Sequence, residues 1–181
     1  MARPLRPLIA GGLYHVTSNA TGWERLFLND AERGFFLRLL GDVVPRLQWR
    51  CRAYCLLGTH YHLMVETPEA NLDRGMQRLN GLYAQWFNRQ HKRAGHLVAD
   101  RYYSVLVERE PHALEVVRYI ARNPIGAGLC RSPQTWPWSS YAATIGKAEP
   151  PAFLDADEVI RWFSARRGAG VRRLRAFVED S

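Results

Sequence analysis

The stretch Gly58-Thr59-His60-Tyr61-His62-Leu63-Met64-Val65 constrains this chain more than any other. Its apolar run reads as a buried strand, yet it carries two histidines separated by a single tyrosine. Successive side chains along a strand point to opposite faces, so His60 and His62 share a face and Tyr61 points the other way. A buried imidazole needs a hydrogen-bond partner, which makes a pair of them an unusual choice for plain core packing. Two imidazoles side by side on one face of a sheet suit a metal site instead.

The rest of the chain supplies a frame for that strand. Leu13-Tyr14-His15-Val16-Thr17 alternates as a first strand after Gly11-Gly12. Asn29 or Asp30 can cap a helix whose apolar stripe is Phe35, Phe36, Leu39, Leu40 and Val43, with Pro45 marking its end. Residues 48–57 read as a strand, broken from His60–Thr67 only by Gly58-Thr59, which implies a hairpin. That pair is central if Leu63-Met64-Val65 is buried on both faces. After Pro68, Asn71 can cap a long helix with the stripe Leu72, Met76, Leu79, Tyr83, Trp86 and Phe87 and a polar face that includes Arg74, Gln77 and Arg78. A basic loop from His91 to His96 leads to a strand over 102–107. Pro111 suits the first turn of the next helix. Its stripe is Leu114, Val117 and Ile120 or Ala121, and it should end near Asn123, because Pro124 disfavours the α conformation before it.

Strands and helices interspersed in this order, with a hairpin among them, predict an α+β fold. The expected architecture is a ferredoxin-like sandwich, an antiparallel sheet with helices packed on one face. An aromatic, proline-pinned loop, Trp136-Pro137-Trp138-Ser139-Ser140-Tyr141, precedes a linker over 147–151. Val159, Trp162 and Phe163, then Leu174, Phe177 and Val178, predict a helical C-terminal tail split into two short helices at Gly168 and Gly170. The expected division is a principal domain over 1–146 and a linker with helical extension over 147–181.

Charge narrows the partner. Lys and Arg total 25 against 17 Asp and Glu, a net +8, and residues 3–7 form a basic lead-in. An excess that is mostly arginine favours an anionic partner, most simply nucleic acid, which the guanidinium fork grips through phosphate. Three cysteines and no secretory leader point to reduced thiols and a cytoplasmic protein. Cys51 and Cys55 share a face if their strand is regular, but two further zinc ligands are not evident. No apolar run approaches the ~20 residues a membrane span needs. Of the other histidines, His15 reads as a hydrogen-bonded structural residue, His91 and His96 as surface or phosphate contacts, and His112 as a first-turn surface residue.

A second constellation is Arg118-Tyr119-Ile120-Ala121-Arg122-Asn123-Pro124. Residues four apart on a helix are neighbours, so Tyr119 and Asn123 face together. With these residues the chain resembles the single-tyrosine HUH nucleases, and within them the REP-associated tyrosine transposases (REP, repetitive extragenic palindrome). The matching pieces run in order along the chain. They are Gly12-Leu13-Tyr14-His15-Val16-Thr17, Ala53-Tyr54 leading to His60-Tyr61-His62-Leu63, and Leu79-Asn80 with Tyr83-Ala84-Gln85-Trp86-Phe87-Asn88. Gly95-His96-Leu97 with Arg101-Tyr102, Arg118-Tyr119-Ile120 with Asn123-Pro124, and the Trp136–Tyr141 loop follow, and Leu174–Val178 looks like the tail of one branch. The chain departs from relatives at Thr59, where an Asn is common, at Ser18-Asn19-Ala20, and at Val98-Ala99-Asp100.

The resemblance implies a metal-dependent endonuclease and strand transferase acting on single-stranded, hairpin-forming DNA. Tyr119 would be the nucleophile, attacking a phosphate to form a 5′-phosphotyrosine and free a 3′-OH. His60, His62 and, as third ligand, Asn123 would hold a divalent metal, Mg or Mn, on the scissile phosphate. Two imidazoles and an amide oxygen suit Mn²⁺ at least as well as Mg²⁺. Arg78, Arg101, Arg118, Arg122 and His96 are the candidate DNA contacts. The implied setting is the bacterial cytoplasm, at the nucleoid when bound to DNA, with no membrane partner, as a monomer or homodimer. Two other readings stay open: a domesticated, non-catalytic DNA-binding module on the same fold, and a small metal-dependent enzyme with another substrate.

Overall fold

The structure, a computed structural model, describes residues 8–22, 25–99, 101–108 and 110–180. The basic lead-in at 3–7 and the departure at Asp100 lie outside them. The strands are β1 (Gly12–Asn19), β2 (Arg50–Leu56), β3 (His60–Thr67) and β4 (Tyr103–Leu106). The helices are α1 (Asp30–Arg46), α2 (Leu72–Gln90), α3 (Glu110–Gly126), α4 (Tyr141–Thr144), α5 (Ala156–Phe163) and α6 (Arg167–Glu179). The sheet order is β2-β3-β1-β4, and every pairing is antiparallel. This is the expected ferredoxin-like α+β arrangement, with the histidine strand at its centre. No helix among the described residues is long and apolar enough to cross a membrane.

Two cores form because β3 is apolar on both faces. Tyr61, Leu63 and Val65 join Tyr14 and Val16 of β1 under Phe36, Leu40 and Val43 of α1 and Met76, Leu79 and Tyr83 of α2. Met64 faces the other way, with Ala53 and Cys55 of β2, against Val116, Val117, Ile120 and Ala121 of α3 and Val159, Leu174 and Val178 of α5 and α6. The expectation of helices on one face therefore describes α1 and α2. The second face is covered over part of its width by α3 and the C-terminal helices.

The α1 start is a capping box. The Asn29 side chain accepts from the Glu32 backbone N–H at 3.1 Å, and the Glu32 carboxylate accepts from the Asn29 N–H. Glu32 is itself buried, and its Oε1 meets His91 Nε2 at 2.7 Å. His91 is thus a structural partner of α1 rather than a free surface contact. Asn71 precedes α2 but makes no capping bond there. Its side chain instead accepts from Trp49 Nε1 at 2.6 Å and donates to the Leu47 carbonyl at 3.2 Å, fixing the turn before β2.

Three further local expectations fail for identifiable reasons. Cys51 and Cys55 lie on opposite faces, because a bulge at Arg52 shifts the β2–β3 register between Cys51 and Ala53. They cannot share a zinc ion. Helix α3 continues through Pro124 to Gly126; the buried proline and bonds from Ala127 and Leu129 to the Asn123 and Pro124 carbonyls hold the last turn. The break between α5 and α6 falls at 164–166, not at Gly168 or Gly170. Gly170 lies inside α6 because a Cβ there would stand 2.6 Å from Ile160 Cγ2 and from the Ile160 carbonyl, so its absence allows α5 and α6 to touch.

The outer edge of β2 is paired rather than open. Leu56 donates to the Trp138 carbonyl and Ser140 to the Tyr54 carbonyl, at 2.8 and 2.9 Å, while Asp155 donates to the Cys51 carbonyl at 2.8 Å. The aromatic loop and the start of α5 thus cover an edge that would otherwise template association.

Candidate active site

Helix α3 brings its tyrosine to the histidine face because its apolar stripe lies on Ala53, Cys55 and Met64, the same face of the sheet that carries His60 and His62. Tyr119 lies beside that stripe and is 53% exposed. Its ring centroid is 5.3 Å from that of His62 and 5.6 Å from that of His15. The Asn123 side chain, one turn along, lies near enough to His60 to act on its imidazole. The four residues expected at the site therefore converge.

The β1–β3 register adds two residues, Thr17, which sequence reasoning did not single out, and His15, for which it preferred a structural role over a place near the site. Thr17 lies directly opposite His62, and His15 opposite Met64. Cross-strand partners share a face, so both belong to the histidine side. His62 Nδ1 lies 3.1 Å from His15 Nε2 and 3.0 Å from Thr17 Oγ1. His15 is therefore hydrogen-bonded, as expected, but within the site. The alternation of β1 reveals that His15 and Thr17 go together; only the register reveals which face they occupy.

Burial sets the protonation of the cluster. The His62 imidazole, 3% exposed, is held down to about 3, first by desolvation and then by the neighbouring His15 and His60. His15 is lowered to about 4, mainly by burial and secondarily by His112. His60 is lowered by burial, opposed by the neighbouring Asn123 side chain. All three rings are therefore neutral near neutral pH, the state in which an imidazole nitrogen binds a cation.

The donor set fits a divalent ion. His62 Nε2 is buried with no hydrogen-bond partner among the described residues, an orphan that a cation would satisfy. His60 and the Asn123 amide lie beside it. Among the described residues no group of three or more His, Cys, Asp or Glu side chains is arranged to hold an ion, so two imidazoles and one amide oxygen are what the protein offers here. Such a set leaves coordination positions for water or phosphate oxygens.

The expected DNA contacts do not gather as the four central residues do. Arg78 is exposed on α2, across the sheet from the histidines. Arg101 is exposed just before β4, and His96 is exposed in the loop after α2. Arg118 and Arg122 both reach α6. Arg118 pairs with Glu115 at 2.5 Å and lies 4.8 Å over the Phe177 ring, and Arg122 donates to the Val178 carbonyl at 2.8 Å. One exposed aromatic was not foreseen. Tyr103, 61% exposed, pairs with Thr17 and so extends the row Cys55, His62, Thr17 across the sheet.

The family model described as transposase IS200-like matches residues 13–123, a span that opens in β1 and closes on Asn123. The chain belongs to the IS200-like transposases. It is accordingly a DNA transposase and nuclease. No curated protein sequence matches it. Among solved structures, one described as "Structure of the REP associates tyrosine transposase bound to a REP hairpin" is similar to this transposase. Its TM-score is 0.72 at 17% identity, over 85% of this chain and 91% of that chain. At that identity the likeness concerns the fold, which here includes the antiparallel sheet and its helices.

Proposed function

We propose that this transposase cuts and rejoins single-stranded, hairpin-forming DNA through a 5′-phosphotyrosine at Tyr119, with a divalent metal, Mg or Mn, held by His60, His62 and Asn123. The observation that carries this reading is the exposed Tyr119 ring standing 5.3 Å from His62 on a shared face. The metal, when bound, would neutralise and orient the scissile phosphate. The chain's own residues do the rest. Helix α3 holds the Tyr119 hydroxyl where an incoming phosphate meets it, and the buried face beneath fixes that position. The tyrosine oxygen attacks phosphorus, the bond to the 3′-oxygen breaks, and that oxygen leaves as a 3′-OH with the proton the tyrosine gave up. A later 3′-OH reverses the step, and the phosphoester bond energy is kept in the covalent link, so joining needs no nucleotide triphosphate.

The similar solved transposase carries a REP hairpin, which supports hairpin DNA as the partner here. The net charge of +8 favours the same class. Helix α3 covers its own sheet, which supports a site complete within one chain, whether the protein is a monomer or a homodimer. In this reading residues 1–146 are the nuclease unit and 147–181 an extension that steadies α3 from behind. The protein would work in the bacterial cytoplasm, at the nucleoid.

The test is incubation with a labelled single-stranded hairpin oligonucleotide and Mg²⁺ or Mn²⁺, followed by a denaturing gel. Wild type should retain the label as a protein adduct, and Tyr119→Phe should bind the hairpin without forming one. Hairpin binding by wild type with no adduct in either metal would favour the non-catalytic module instead.

A further inference from the structure

One ring nitrogen of His62 is held by neighbours and the other is buried without a partner among the described residues. Nδ1 contacts His15 Nε2 and Thr17 Oγ1 at 3.1 and 3.0 Å, while Nε2 is the unpartnered one. A neutral imidazole carries one N–H, so the tautomer decides which nitrogen presents a lone pair. A proton on Nε2 would leave a buried donor unpaired. A proton on Nδ1 meets two acceptors already in place, the Thr17 hydroxyl oxygen and the His15 Nε2 lone pair. For His15 to accept, its own proton must sit on Nδ1.

We infer that Thr17 and His15 are positioning residues that hold His62 as its Nδ1–H tautomer and so present the Nε2 lone pair to a divalent cation. The inference rests on the metal site proposed above. Outer partners of this kind fix ring orientation and the donating nitrogen of a metal-binding histidine. Here the device belongs to the sheet itself. Thr17 is the cross-strand partner of His62, and His15 follows it diagonally on β1, so both acceptors are fixed by strand register before any ion arrives. His60 has no such support. Its Nδ1 lies 3.0 Å from Thr59 Oγ1, in the loop that joins β2 to β3, and its ring meets the His62 ring edge-on at 5.0 Å with the Asn123 side chain nearby. His62 is therefore the fixed ligand and His60 the adaptable one.

The experiment uses the full-length, metal-free protein labelled with ¹⁵N. Long-range ¹H–¹⁵N correlations of the imidazoles read the His62 tautomer directly, without activity. Wild type and Thr17→Ser should show Nδ1–H. The pair Thr17→Val with His15→Phe should shift His62 towards Nε2–H, and Mn²⁺ affinity without DNA, read by electron paramagnetic resonance, should fall about 10–100-fold. Thr17→Ser, which keeps the hydroxyl, should bind Mn²⁺ as wild type does, a rescue that a merely structural role would not produce. An Nε2–H tautomer in wild type overturns the inference, as does unchanged affinity in the double variant. His62→Ala separates the two levels. If it loses Mn²⁺ while the double variant does not, the positioning role fails and the metal site stands; if it binds Mn²⁺ normally, both fail.

Discussion

The Tyr119 ring stands edge-on to the His62 imidazole, with centroids 5.3 Å apart and planes at 83°. This relationship joins a helix to a strand far away in sequence. It exists because Val117, Ile120 and Ala121 seat α3 on Ala53, Cys55 and Met64, leaving the neighbouring Tyr119 at the boundary between the covered and the open part of one sheet face.

The open part ends at Tyr103. Adjacent strands lie ~4.8 Å apart, so Tyr103, two strands over in the same row, is roughly 10 Å across the sheet from His62. In the proposed reaction, an exposed ring at that place offers a stacking platform for a base of the bound strand. Tyr103→Ala should weaken binding of a hairpin with a single-stranded flank by about 5- to 100-fold, and Tyr103→Trp should not. Fluorescence anisotropy with flanked and blunt hairpins checks this; equal affinity of wild type and Tyr103→Ala for the flanked hairpin contradicts it.

What the sequence reveals and what it conceals divide by range. His60 with His62, and Tyr119 with Asn123, are paired by local period, two for a strand and four for a helix, so the core of the proposed site is legible before any fold is known. The roles of His15, Thr17 and Tyr103 depend on which residues β1 places opposite β3 and β4, and pairing register is not a local property. Cys51 and Cys55 illustrate the converse: their spacing implies a shared face, and a single bulge at Arg52 undoes it. Pro124 and Gly170 mislead for a related reason. Each disfavours helix locally, and each is overruled by packing that only the folded chain supplies.

The bulge residue ties the extension to the sheet. Arg52, with 4% of its side chain exposed, bonds both Glu66 of β3 and Asp155, the N-cap of α5. Arg52→Ala leaves both carboxylates without this partner. It should cost about 3 kcal/mol, towards the lower end for a broken buried pair because Asp155 and Glu66 reach solvent. Urea unfolding should show a lower midpoint at an unchanged slope.

At the far end of the chain, Glu179 accepts from Tyr141 Oη at 2.8 Å and from Arg175 at 3.1 Å. The Arg175 bond chiefly holds the Glu179 carboxyl below the usual carboxylate range. A lowered folded value means that this contribution is full above the unfolded value and is lost as pH falls through the folded one. The pair is partly exposed, so the effect is small. Wild type should melt about 2 °C above Glu179→Gln near pH 7, with the gap closing as pH falls below the usual carboxylate range. A gap that persists in acid would contradict the assignment.

The most direct measurement is to locate the covalent bond. Wild-type protein is reacted with a single-stranded hairpin oligonucleotide in Mn²⁺, digested with protease and nuclease, and the modified peptide is sequenced by mass spectrometry. The expected product is the peptide containing Tyr119, joined through its phenolic oxygen to a 5′-phosphate, with the released fragment ending in a 3′-OH. Attachment at another residue, or a fragment ending in a 3′-phosphate, would contradict the site built from His60, His62, Tyr119 and Asn123.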